Sequence, residues 1–470
     1  SDPAIQALVV IPSAGFDEES FQTVVRELTL YDIAWTLAAP DPVSQLISDT
    51  EVQSLDSISD MITNETAIIV IGGSDMRSLF SSEPLNRILE KGSQAGSICA
   101  GIGNGTLALA NAGILNGVKV PTTDENSRVF MEQSGVIPDQ AEGVITDIII
   151  TAQGPASAQT WTDIIVREII AREITNNLGV LYLGDQENGK SVYRKRGGLA
   201  VLKTMINHFR KQNPANTILI DGGDYFHGSA VASLTEGEAM IPLLNDFNYD
   251  LILPGNWEVV YKKKKMLYDM GHATAAKICA NMWHKTADAD KGELIYPPYW
   301  VKYIAGTKVG FIGYTDHLIP KRQSPAYSEG IRFEHADFNI AKYIKLLKEV
   351  EGCGIIFIVT HMGLAQQVGL ANNPAVQGAD FILGADTHER VRVPIEGKYT
   401  KVVECGAFGS FLGKLDIEVE NGKIKNYKYQ LLDVDPVKYP ADKKLQGQVD
   451  KASAPFKKDL SKVIGTTTTP

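Results

Sequence analysis

Short apolar runs, each giving way to glycine and polar residues, recur along this 470-residue chain. Ala7–Ile11 (ALVVI), Ala67–Ile71 (AIIVI) and Asp147–Ala152 lie in the first part. Thr217–Ile220, Leu251–Leu253, Val309–Ile312, Ile355–Val359 and Phe381–Leu383 follow. Runs of this length without polar alternation read as strands buried on both faces, the mark of parallel sheets. The intervening Glu18–Leu30, Pro84–Gln94 and Ala156–Arg172 carry helical spacing. The chain is therefore expected to be α/β. Ligands of open α/β sheets gather at the carboxyl ends of the strands. Chemistry is thus expected in the clusters Asp221–Asp224, Gly255–Glu258, Gly313–His317, Thr360–Gly363 and Gly384–His388. No run approaches the ~18 apolar residues of a membrane-spanning helix, so no span is expected.

Charge divides the chain. Residues 1–173 hold 24 Asp and Glu against 8 Lys and Arg, whereas the remainder holds 32 against 37. A step of that size predicts two domains, 1–173 and 174–440, and the fading pattern beyond predicts a weakly ordered tail over 441–470. The acidic first part excludes a nucleic-acid partner there, because phosphate contacts need a basic face. The four cysteines form neither a disulfide framework nor a CxxC pattern.

Ser97-Ile98-Cys99-Ala100-Gly101 runs from a strand towards a helix and reads as an elbow presenting Cys99. A helix N-terminus beside such a turn lowers a thiol's pKa and offers backbone donors to an oxyanion. With AGFDEE (Ala14–Glu19), IGG (Ile71–Gly73), SICAGIGNGTLALANAGIL (Ser97–Leu115) and IITAQGPASA (Ile149–Ala158), the first part resembles the DJ-1/PfpI superfamily. That resemblance implies a flavodoxin-like parallel sheet sandwiched by helices, pairing of this domain into a homo-oligomer, and a catalytic cysteine at Cys99. The acid that would accompany the cysteine falls on Ser20, and no histidine precedes His208. Cys99 thus lacks the nitrogen base that activates a nucleophile.

Gly197–Ser229 (GGLAVLKTMINHFRKQNPANTILIDGGDYFHGS), GNWE (Gly255–Glu258), THMG (Thr360–Gly363) and GADTHE (Gly384–Glu389) resemble calcineurin-type metallophosphoesterases of the 5′-nucleotidase branch. The resemblance implies a four-layer α/β/β/α domain and a site for one or two divalent ions (Mn, Zn or Mg). It makes Asp224 the bridging ligand, Asn256 and His361 ligands of the second metal, and His388 a ligand of the first. Arg196 is expected as an anion contact for substrate. Three departures stand out. The opening DxH motif is replaced by Thr175–Gly179, with Asn177 for its aspartate. Trp257 replaces the catalytic histidine of GNH, as in the GxWE phrase of related thiosulfohydrolases. Asp386 replaces the first histidine of HxH, though a carboxylate still ligates a hard cation. Donors to fill a second site would have to come from residues such as Asp185 or His227.

Two readings follow. The chain is a metal-dependent hydrolase of small-molecule phosphoesters, or of sulfur esters, with a partly degenerate di-metal site. The alternative is a non-enzymatic extracellular binding or structural protein reusing both folds. A thiol activity at Cys99 is a third reading. The 5′-nucleotidase resemblance places the chain outside the cytoplasm, in the periplasm or beyond; the DJ-1/PfpI resemblance leaves the cytoplasm open. The aromatic platform that stacks a nucleobase in that branch is not expected in the residues after Asp435.

Overall fold

The structure is a computed structural model that describes residues 5–41, 47, 49–63, 65–121, 135–139, 143–146, 148–174, 180–187, 190–460 and 462. It divides into two compact units.

The first unit is built on a seven-stranded sheet in the order Gln53–Ser54, Trp35–Ala39, Ala7–Val10, Ala67–Ile71, Cys99–Ile102, Ile149–Ala152, Gly143–Thr146. All pairs are parallel except the last. Alternation along each strand feeds two cores. Ala7 and Val9 pack with Phe21, Leu28, Trp161 and Ile165 of the helices on one face. Leu8 and Val10 pack with Leu79, Leu85 and Leu89 on the other. Helices on both faces explain why the strands are apolar throughout. The strands Val180–Glu187 and Lys190–Gly197 fall within the second domain expected over 174–440, yet residues 182–187 and 190–195 group with the first unit. Lys195 accounts for this: its backbone N–H donates to Asp32 Oδ2 at 3.1 Å and its ammonium to Gln6 Oε1 at 2.6 Å.

The second unit, from Arg196 to Leu460 with 180–181, holds a six-stranded sheet. Its inner strands Thr307–Thr315, Ile355–His361, Phe381–Gly384 and Lys401–Glu404 are parallel. Tyr299–Ile304 and Ile395–Glu396 close it antiparallel. Ile220–Asp221, Leu251–Ile252 and Ala276–Lys277 form a small parallel sheet. Phe311, Phe357 and Phe381 point into a core shared with Leu251, Leu253 and the helix Leu199–Arg210. Ile312, Ile356 and Ile358 point oppositely, under the helix Ile340–Glu349. This is the expected α/β/β/α layering.

The tail expected over 441–470 is helical across Lys443–Ser453 and Lys457–Leu460. Asp442 caps the first of these helices, accepting from Leu445 N–H at 2.8 Å. Leu445 and Val449, one turn apart, are buried in the main core, and that burial holds the segment.

Candidate metal centre

The first unit corrects one expectation. Cys99 opens the strand Cys99–Ile102, pairs with Ile68 and Ile149, and is fully buried beside Leu85 and Leu89. The chain leaves that strand only at Gly103, whose φ is +55°, and the helix starts at Gly105. The elbow therefore presents a glycine, and Cys99 is a core residue four positions earlier. Strand alternation dictates this: Ala100 and Ile102 face one core and Cys99 the other. Ser20 is likewise buried, in a helix capped by Asp17.

In the second unit, four expected ligands from four motifs meet at the carboxyl ends of parallel strands. Asp224 follows Ile220–Asp221, Asn256 follows Leu251–Ile252, His361 ends Ile355–His361, and Asp386 follows Phe381–Gly384. His361 Nε2 lies 3.0 Å from Asp224 Oδ2, 3.5 Å from Asp386 Oδ1 and 3.1 Å from Asn256 Oδ1. That amide oxygen position is also 3.1 Å from Asp224 Oδ2 and 3.2 Å from Asp386 Oδ1. Four acceptor atoms facing one another repel unless a cation or protons lie between them. Ligands about 2.0–2.2 Å from a metal lie about 3.0–3.6 Å apart in tetrahedral or octahedral arrangements, so the residues fit a divalent ion. Turning the amide over would offer its NH2 to the same neighbours, whereas a cation uses its oxygen. Asp224, His361 and Asp386 are the only such His/Cys/Asp/Glu trio among the described residues.

Local structure fixes each donor. His361 Nδ1–H donates to Gly222 O at 2.7 Å, which turns Nε2 towards the group. Asp224 and Asp386 both have positive φ, 67° and 106°, strain of the kind held at functional sites. At Gly255 a side chain would overlap Asp224 Oδ1 and lie 2.8 Å from His361 Nε2, so only glycine fits.

Two supporting residues escaped the sequence reading. Glu258, the last residue of GNWE, is buried, and its carboxylate accepts the backbone N–H of Asp224 (2.8 Å), Tyr225 (2.9 Å), Phe226 (3.3 Å) and Gly255 (2.5 Å). Its place in the motif was the available signal. Arg322 had none. Its guanidinium forks onto Asp386 at 2.8 and 2.9 Å and reaches Asp316 at 2.7 Å. It balances the charge that an aspartate adds where the family pattern has a neutral histidine.

The electrostatics follow from the packing. Burial opposes a charge on His361, but Asp224 and Asp386 outweigh it and hold the ring well above its ordinary value. Burial also raises the Asp386 carboxyl, yet His361 and Arg322 bring it down to about 2. Burial and the neighbouring Asp224 push Glu258 up to about 7 against its backbone donors.

The other expected site residues are not members of this four-atom group. Trp257 is partly exposed, its backbone N–H donating to Asp224 Oδ1 at 2.9 Å and its ring stacked on His227. Arg196 is paired with Asp433 at 3.2 Å, so the guanidinium expected to meet substrate faces a carboxylate. His388 is exposed, packs 5.0 Å from Phe408 and is not in the trio. Asn177 and the side chain of Asp185 lie outside the described residues.

Comparisons with known proteins agree with this architecture. Residues 6–168 match the DJ-1/PfpI family and residues 143–390 the calcineurin-like phosphoesterases. A 5′-nucleotidase of Vibrio vulnificus is 26% identical over 296 residues, 56% of this chain and 53% of that protein. Among solved structures, a 5′-nucleotidase precursor from Thermus thermophilus superposes with a TM-score of 0.53 at 20% identity, covering 62% of this chain and 58% of that one. The sulfate thiohydrolase SoxB of the same organism gives 0.52 at 20% identity, covering 56% and 48%. These two likenesses concern the fold. The chain spans about half the length of the curated relatives it matches. With more than half its length matched and the strand-end residues in place, the chain belongs to the calcineurin-like phosphoesterase family, behind an N-terminal DJ-1/PfpI domain.

Proposed function

We propose that the chain is a divalent-cation-dependent hydrolase of nucleotide-like small-molecule phosphoesters, acting outside the cytoplasm, with Asp224, Asn256, His361 and Asp386 holding one ion. The observation that supports this is the convergence of His361 Nε2 and the Asn256 amide oxygen on each other and on the Asp224 and Asp386 carboxylates at 3.0–3.5 Å. When bound, the ion supplies Lewis-acid polarisation of the phosphoryl oxygen and a water-derived nucleophile at neutral pH. The chain's own residues do the rest. Gly222 O fixes the His361 tautomer, Glu258 shapes the Gly223–Phe226 turn, and Arg322 neutralises Asp386.

The raised His361 pKa gives a pH dependence with a definite sign. A proton on Nε2 competes with the cation, so binding releases it and affinity falls as pH falls, about tenfold per unit once His361 is protonated in the ion-free chain. Elemental mass spectrometry after equilibration with limiting Mn²⁺ should find about one ion per chain at pH 8 and little at pH 5. No bound Mn²⁺ at pH 8, even in excess, would leave a scaffold rather than a hydrolase.

A further inference from the structure

In the family pattern an imidazole stands where this chain has Trp257, and that indole has acquired an imidazole of its own. The His227 ring stacks on it with centroids 4.4 Å apart and planes 26° apart. Because the Trp257 backbone N–H holds Asp224 Oδ1 at 2.9 Å, the stacked pair borders the metal centre. His227 Nδ1 lies 2.6 Å from the Tyr261 hydroxyl and 3.2 Å from Ser233 Oγ. Burial pushes the Tyr261 phenol above its ordinary value, so it keeps a proton that it can donate to Nδ1. Burial holds His227 below its ordinary value, against the pull of Asp224, which favours the neutral ring, and a hydrogen bond accepted at Nδ1 leaves that ring's hydrogen on Nε2. Stacking and the Tyr261 contact thus hold the ring through its face and its Nδ1 edge, and neither of these contacts engages Nε2.

We propose that His227 Nε2–H donates a hydrogen bond to the leaving-group oxygen of the phosphoester, the service that an imidazole at position 257 would give. This rests on the hydrolase reading above. Water adds its oxygen to phosphorus and gives up a proton to solvent, the P–O bond breaks with its electron pair on the leaving oxygen, and solvent returns a proton to that oxygen; His227 neither gains nor loses one. Such a donor matters most for leaving groups that carry negative charge poorly, such as a nucleoside 5′-hydroxyl.

The test compares a nucleoside 5′-monophosphate with p-nitrophenyl phosphate, using Mn²⁺-loaded protein. His227→Ala should lower kcat on the nucleotide about 100-fold, leave KM within about threefold and cost p-nitrophenyl phosphate under about fivefold. His227→Gln, which places an amide N–H near the Nε2 position, should restore part of the loss. Tyr261→Phe should give a smaller loss with the same selectivity, and it keeps the proposal testable if the alanine variant misfolds. Bound Mn²⁺ should equal wild type in all three. An equal loss on both esters, an unchanged nucleotide rate or loss of the ion would overturn the His227 assignment alone. A wild-type chain that turns over neither ester overturns the hydrolase reading together with it.

Discussion

Asp224→Ala should abolish stable metal retention and reduce phosphoester hydrolysis about 1,000-fold or more. Asp224 combines three features that no neighbour duplicates. Its Oδ2 faces His361 Nε2 at 3.0 Å, its Oδ1 holds the Trp257 backbone, and its positive φ is set by the turn that Glu258 braces. The alanine variant removes a donor and a charge from a group whose remaining carboxylate, Asp386, is already paired with Arg322. Measured as ions per chain and kcat/KM at pH 8, the two losses should appear together. Retained metal with lost turnover would assign Asp224 to substrate rather than to the ion.

Glu258→Ala should be the most damaging substitution outside the four candidate ligands. It strands backbone donors of Asp224, Tyr225, Phe226 and Gly255 in a buried place. At about 1–3 kcal/mol for each unsatisfied donor, with some relief from entering water, the expected loss is about 4 kcal/mol. Glu258→Gln keeps the volume and one acceptor oxygen, so its cost should be about half that. Thermal melting of the full chain would check both, with metal affinity falling in the same order. A melting temperature unchanged in Glu258→Ala would show that the turn holds itself.

The four-residue cluster was legible because each member sits at or just past the end of an apolar run, where parallel strands end. Asp224, Asn256, His361 and Asp386 needed only their motifs to be placed together. Cys99 was misplaced for a reason that lies in the backbone. Gly101, Gly103 and Gly105 all offer a turn, and only the left-handed φ at Gly103 decides where the strand stops. Arg322 was invisible because it belongs to no motif; it reaches Asp386 across 64 residues of sequence, through a turn that only the tertiary fold defines. The helix Lys443–Ser453 was missed because its apolar content is sparse, and its burial depends on packing against Leu199–Arg210. His227 belongs to no site motif, and its ring is held only by tertiary neighbours, the stacked Trp257 and the Tyr261 hydroxyl.

The most direct measurement is turnover of a nucleoside 5′-monophosphate by the chelator-stripped chain, before and after one equivalent of Mn²⁺ or Zn²⁺ is returned. A hydrolase centred on Asp224, Asn256, His361 and Asp386 is silent when stripped and releases phosphate once the ion is restored. A chain that binds the ion stoichiometrically yet releases neither phosphate from the nucleotide nor sulfate from a thiosulfate ester would contradict the account.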